Sequence, residues 1–370
     1  MKTTQELYDE RLKRIKTAVA LGKPDRVPVV ALGNAFCARH LGVKLSEFAM
    51  DPKVSNETML KSFTSLGEVD GIQQQFFFVP VLSMLWLSKV QIPGFDLPDD
   101  RMWQVDESEL MKQEEYDTVI EKGYNAFFNE FQATRLDNVA EKVVNIMLPY
   151  SNQAIQNFKD AGVVTLCPLA FTTPFESFCG ARSMTKFIKD MYKIPDKVQA
   201  AMDIAMVDII ANMRCDIQMC KPIGAWIGGW RSASNFLSPK LWQRFVWPYF
   251  KKLVEVAIEE GIIPVLHLDS DWERDLEFFK ELPKAKCIIA PDGMTDIFKI
   301  KEVLGDHMCI MGDVPAAMFA LGTPEEVYNY SRKLINEIGP SGYILSSGCD
   351  TPSNAKPENV RAMISAAKGK

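Results

Sequence analysis

Histidine is scarce in this chain. Its 370 residues hold three, at His40, His267 and His307. Imidazole chemistry therefore has three places to come from. Cysteine is more frequent, at eight, but no two form a CxxC pair. Such a scatter does not resemble a disulfide framework. In a reducing compartment most of these thiols are expected to be buried small hydrophobes, with one or two available as ligands. An excess of basic residues is missing too. The formal net charge is −6 and the pI ≈ 5.4. A nucleic-acid binder usually carries a basic stripe, so none is expected here, and mild acidity serves solubility. Long apolar runs are absent. The longest, "FFFVPVLSMLWL" at 76–87, is too short to span a bilayer and contains Pro80. The opening 28 residues are charged throughout, with no apolar signal core. The expectation is a cytoplasmic protein with no membrane partner. Neither GxGxxG nor GxxxxGK[ST] follows any apolar run, which leaves a nucleotide-binding open sheet unsupported.

What is present is a regular alternation. Eight short apolar runs recur at 26–33, 69–79, 162–170, 223–230, 262–269, 286–293, 308–315 and 342–350. Each is followed by Gly, Pro or polar residues, and helical patterns lie between them. Residues 4–22 read as an amphipathic helix ended by Gly22 and Pro24. Residues 323–339 begin with Thr323 as N-cap and Pro324 at the first helical position, and Ser238–Pro239 opens 238–261 in the same way. Eight buried strands alternating with helices predict an α/β fold of (β/α)8 TIM-barrel type. No repeat, low-complexity tract or linker divides the chain. The expectation is one barrel domain over 1–370. A turn-rich excursion between strands two and three, 86–145, would lie over the barrel.

In such barrels the active site lies at the C-terminal ends of the strands. His267 and Asp269 end the fifth run, Asp292 the sixth, Asp313 the seventh, and Cys349 and Asp350 the eighth. A His, a Cys and carboxylates are the ligand set of a catalytic zinc site. His267 and Asp269 stand two apart, so on an extended chain both side chains point the same way. Cys349 comes 82 residues later, and only the barrel joins it to them. Taken alone, His267 also fits a core or pocket histidine, and Cys349 a buried thiol. His307 precedes strand seven, at the opposite end, and His40 follows strand one and could border the mouth. Phe78, Trp226, Trp230 and Arg231 fall near the ends of strands two and four. They are expected to line an apolar cavity for a substrate or cofactor.

Several stretches resemble the uroporphyrinogen decarboxylase superfamily: "GKPDRVPV" near the start, "PDKV" at 195–198, "LSP" at 237–239, "GDVP" at 312–315 and "GCDTPSNAKPENVRAM" at 348–363. The resemblance runs over nearly the whole chain and implies a (β/α)8 barrel. True decarboxylases of this superfamily carry Arg-Gln-Ala-Gly-Arg-Tyr after strand one and an aspartate after strand two. Here the stretches are "ALGNAFCARHLG", with Arg39 alone, and "FFFVPVLSM", without an acid. A polyanionic tetrapyrrole needs several cations in its pocket. The other branch is the cobalamin-dependent methyltransferases. Its coenzyme M methylases hold zinc through His-x-Cys on strand five and a Cys after strand eight. His267 matches the His, Cys349 the second Cys, and Asp269 stands where the first Cys would be.

This resemblance implies Zn²⁺ as cofactor, held by His267, Asp269 and Cys349. Replacing a thiolate by a carboxylate hardens the site, which suits oxygen or nitrogen groups better than a thiol. The implied reaction moves a methyl group between a small O- or N-methylated compound, as in O-demethylation, and the cobalt of a corrinoid. The chain lacks an Asp-x-His-x-x-Gly corrinoid motif, so the corrinoid (cobalamin) is expected on a separate corrinoid protein. Asp292 and Asp313 would orient the histidine or assist proton movement. Rival readings are a tetrapyrrole decarboxylase and a non-catalytic corrinoid- or tetrapyrrole-binding subunit. Assembly as a homodimer stays open.

Overall fold

Short parallel strands form where the sequence predicts buried runs. The computed structural model describes residues 2–369. Its barrel strands are β1 (Val30–Ala31), β2 (Gly71–Ile72), a divided β3 (Val164–Thr165, resumed at Leu169–Thr172), β4 (Gly224–Gly229), β5 (Ile263–Leu268), β6 (Ile288–Pro291), β7 (Cys309–Met311) and β8 (Tyr343–Ile344). β1, β2 and the first half of β3 pair in parallel, and the second half of β3 continues through β4 to β8 in sequence order. A parallel bridge from Val29 to Leu345 joins β8 back to β1. There the Val30 amide donates to the Leu345 carbonyl at 3.1 Å. The sheet is closed, and the fold is a TIM barrel.

The break in β3 has a local cause. The sequence predicts one run over 162–170, but Pro168 has no N–H to give and biases the residue before it. The amides of Leu166 and Cys167 still donate to Ile72 and Gln73, at 2.9 and 2.7 Å. Past the proline the chain turns its edge to β4 instead. A second proline divides the helix expected over 238–261. Pro248 would meet the carbonyl four residues back, so one helix becomes two, Pro239–Phe245 and Trp247–Glu259. The 323–339 pattern forms Pro324–Glu337 behind a Thr323–Glu326 capping box.

Strand alternation sorts the core into two layers. Val265 on β5, Trp226 on β4 and Ile288 on β6 face the barrel interior. Leu266, Leu268, Ile227 and Ile289 face the surrounding helices. The interior is shut at the N-terminal end by helix α1 (Thr4–Val19), whose Ile15, Ala18 and Val19 pack into it. Of the excursion, the opening turn reaches the mouth, where Trp86 meets Trp230 edge-on at 5.3 Å. Its helices Glu115–Lys122 and Tyr124–Arg135 lie on the flank instead, with Tyr116 and Tyr124 against Phe178. Helical structure then runs through Leu148–Asp160 into β3, beyond the expected limit of 145. Among the described residues no helix is long and apolar enough to cross a membrane.

A buried ion network ties the lower end together. Asp70, fully buried just before β2, accepts from Arg14 of α1, from Arg26 at 2.7 Å and from the Val29 amide at 2.8 Å. Arg14 in turn grips Asp25 at 2.7 and 2.6 Å. Removing one partner from such a cluster leaves charge buried without compensation. Asp70→Asn is therefore expected to lower unfolding stability by about 3 kcal/mol, read as a lower urea midpoint, with the mouth's ligand affinity unchanged.

Candidate metal centre

β5 supplies one of three candidate donors, His267, and the turn after it supplies a second, Asp269. His267 pairs with Gly228 on one side and Ala290 on the other. Both neighbours are small, so the imidazole has room in the lumen. Asp269 follows on the same side of the chain. Cys349 arrives from the loop after β8. One ligand atom from each of the three lies within 4.8 Å of the others. His267 Nε2 is 3.4 Å from Asp269 Oδ1 and 3.6 Å from Cys349 Sγ. The imidazole is 2% exposed. Burial works to lower its proton affinity, but the contacts to Asp269 and Cys349 outweigh burial and push its pKa up to about 10. A metal bound there would have to displace that proton.

The floor beneath the donors is aromatic and hydrogen-bonded. Trp226 stacks on His267 with ring centroids 4.5 Å apart and planes 15° from parallel. Its indole N–H donates to Gln73 Oε1 at 2.8 Å, and Gln73 donates to Ser346 Oγ at 3.3 Å. This chain spans the barrel from β4 through β2 to β8. The loop carrying Asp269 is clamped from two sides. The Trp272 indole donates to the Asp269 carbonyl at 2.8 Å, and the Ser270 amide donates to Asp292 at 2.9 Å. Ser270 holds a left-handed φ of 69°, uncommon for a residue with a side chain, and the Asp292 bond steadies that turn.

The remaining expected residues divide. Asp292 and Asp313 come to the mouth, but neither bonds to His267. Asp292 spends its oxygens on the Ser270 and Met294 amides, and Asp313 accepts from the Tyr330 hydroxyl at 3.0 Å. His267 Nδ1 is left without a partner. The expectation that either carboxylate orients the imidazole is therefore corrected: Trp226 does so by stacking. Burial pushes Asp313 up to about 7, with Asp296 and Asp292 adding to the effect. Burial also raises Asp350 to about 6, against bonds from Asn34 that lower it.

Trp230 and Arg231 lie beside the mouth. The Trp230 ring folds back over Gly228, where a Cβ would come within 2.2 Å of it. Arg231 sits 5.7 Å above the Trp86 ring. Phe78 does not line the mouth. It is packed with Phe76, Val143 and Ala154 under the excursion, because the chain after β2 bends outward to begin that segment. His40 stacks on Phe36 and bonds Ser62 at 2.9 Å. His307 bonds the Leu282 carbonyl at 2.8 Å, in the turn before β7.

Two supporting residues escaped the sequence reading. Gln73 had a signal, the run Gln73–Gln74–Gln75 at the end of a buried strand. Glu176 had little. Fully buried, it accepts from the amides of Trp230, Arg231 and Ser232 and from the Ser232 hydroxyl, and so sets the loop after β4. Burial raises its pKa even against those bonds.

Comparison with known proteins agrees with this architecture. A uroporphyrinogen decarboxylase from Geobacter metallireducens is 25% identical over 366 residues, covering 93% of this chain and 94% of that one. A methylated-thiol–coenzyme M methyltransferase from Methanosarcina mazei is 25% identical over 211 residues, covering 56% and 54%. A solved structure, a methyltransferase from Methanosarcina mazei, superposes with a TM-score of 0.72 at 15% identity, covering 96% of this chain and 97% of that one. At that identity the likeness speaks for the fold. The family model for uroporphyrinogen decarboxylase (URO-D) matches residues 125–369. The chain belongs to the uroporphyrinogen decarboxylase family.

Proposed function

We propose that this protein is a zinc-dependent methyltransferase. It moves a methyl group between a small O- or N-methylated compound and the cobalt of a corrinoid carried by a separate protein. The observation that carries this reading is the convergence of His267, Asp269 and Cys349 at one point of the mouth. A nitrogen, an oxygen and a sulfur donor fit Zn²⁺, whereas Mg²⁺ and Ca²⁺ favour oxygen alone. The methyltransferase relative from Methanosarcina mazei supports methyl transfer within this family.

His267 would bind through Nε2, Cys349 through its thiolate and Asp269 through a carboxylate oxygen. Bound zinc would polarise the heteroatom that carries the methyl group and stabilise the charge it gains on leaving. Trp226 holds the imidazole plane, while Trp272 and Asp292 hold the loop that presents Asp269. Asp313, with a pKa near neutrality, supplies the proton that the leaving oxygen or nitrogen takes up. A decarboxylase acting on a polycarboxylate fits less well. Its substrate would face Asp269, Asp292, Asp313 and Asp350, and Arg39 points away to the Asp100 carbonyl.

Anaerobically purified protein should contain about one zinc per chain by elemental analysis. His267→Ala and Cys349→Ala should lose it, together with methyl transfer, while the circular dichroism of the barrel persists. Because all three donors bind deprotonated, zinc retention should fall as pH is lowered. Failure to take up zinc from excess would end the metal reading.

Asp313 generates a separate expectation. A group that gives a proton works while protonated, so turnover should decline as pH rises through about 7. Asp313→Asn should remove that decline from the pH profile and lower kcat by about 10²-fold. An unchanged profile would take Asp313 out of the mechanism.

A further inference from the structure

Gln73 bonds to none of the three donors, yet its side chain is fully committed. It is 2% exposed. Its Oε1 accepts from the Trp226 indole at 2.8 Å, and its Nε2 donates to Ser346 Oγ at 3.3 Å. An indole N–H can only donate, so one orientation of the amide satisfies it. The backbone beneath is fixed as well. The Gln73 amide donates to the Ala31 carbonyl at 2.9 Å, and its carbonyl accepts from the Cys167 amide at 2.7 Å. Gln73 is therefore a rigid post that reaches past β3 to Trp226 on β4.

Trp226 needs such a post. Its register neighbours are Ala170 on β3 and Val265 on β5. Ala170 offers only a methyl group, which puts little bulk beside the indole on that side. A tilt of the ring would strand its buried N–H, which the bond to Gln73 prevents. What that bond holds still is a stacking face. The Trp226 and His267 rings lie 4.5 Å apart between centroids, with planes 15° from parallel. A metal-binding histidine ordinarily donates its second ring N–H to a supporting group, and that bond fixes the ring. His267 Nδ1 has no such partner. Its strand neighbours, Gly228 and Ala290, are too small to brace it. Away from the donor side, the stack on Trp226 is its brace.

We propose that Gln73 is a positioning residue for the metal centre: acting through Trp226, it fixes the plane of His267 and so sets how tightly zinc is held, without touching the ion. The proposal rests on the zinc reading above. It carries the support of one ligand from β5 through β4 to β2 and β8, two side chains behind the donor.

Zinc affinity of the metal-free, full-length protein, measured by competition with a chromophoric chelator, tests this. Gln73→Leu keeps the bulk and removes the acceptor. Trp226→Phe keeps a stacking face and removes the donor. Each should weaken zinc binding about tenfold, the lower end of what supporting residues contribute. The double variant should also lose about tenfold and not a hundredfold, because both changes cut the same link. Asp70→Asn, which loosens the far end of the barrel, should leave zinc affinity unchanged, so that lost stability alone does not imitate the effect. Wild-type affinity in either single variant, or a hundredfold loss in the double variant, overturns the proposal. A wild type that takes up no zinc ends the metal reading and this proposal with it. Zinc bound equally well by wild type and Gln73→Leu ends the proposal and leaves the metal reading standing.

Discussion

Every contact at the mouth depends on the lateral hydrogen bonds that close the sheet between Val29 and Leu345. Along a flat sheet β5 and β8 would stand three strand spacings apart, about 14 Å. Curvature into a barrel turns that separation into a shared opening, and the loop after β8 then reaches His267 at 3.6 Å. Closure also creates an inside. Once there is one, the period of two along β5 commits Val265 and His267 to it and sends Leu266 and Leu268 to the helices. A slip of one residue in register would bury His267 among apolar side chains and point Leu266 and Leu268 into the mouth.

The two ends of the barrel carry different burdens. At the N-terminal end, Asp70 gathers Arg14, Arg26 and the Val29 amide, and α1 seals the interior. Those are contacts of stability. At the C-terminal end, carboxylates gather with few cations to oppose them, and burial holds Asp313 and Asp350 above the usual carboxylate range. Taking up a proton relieves the cost of burying such carboxylates. The residues behind it, Trp226 stacked on the imidazole, Trp272 and Asp292 on the Asp269 loop, and Glu176 on the Trp230 loop, each hold one donor or wall in place. Precision of this kind is what the proposed metal site would require.

Much of this is legible in the residues. The eight apolar runs each hold a strand, because a fully buried parallel strand has no polar face to disguise it. The spacing of His267 and Asp269 reads directly as two side chains on one face. Prolines mislead where they are read as caps or ignored: Pro168 splits a strand and Pro248 splits a helix. Phe78 misleads for another reason. Its position after β2 suggests the mouth, but the chain there has already turned outward into the excursion. Gln73 and Glu176 went unread because their partners are a tryptophan 153 residues away and three amides more than 50 residues away.

The sequence by itself determined the alternation, the barrel and the shared face of His267 and Asp269, since these follow from local periodicity and from the end of one strand. Tertiary structure alone decided that Cys349 meets them, that Asp292 serves a loop and not the imidazole, and that Gln73 meets Trp226. Those relations are set by strand register and by the closure of the sheet. Neither leaves a mark in the order of residues along the chain.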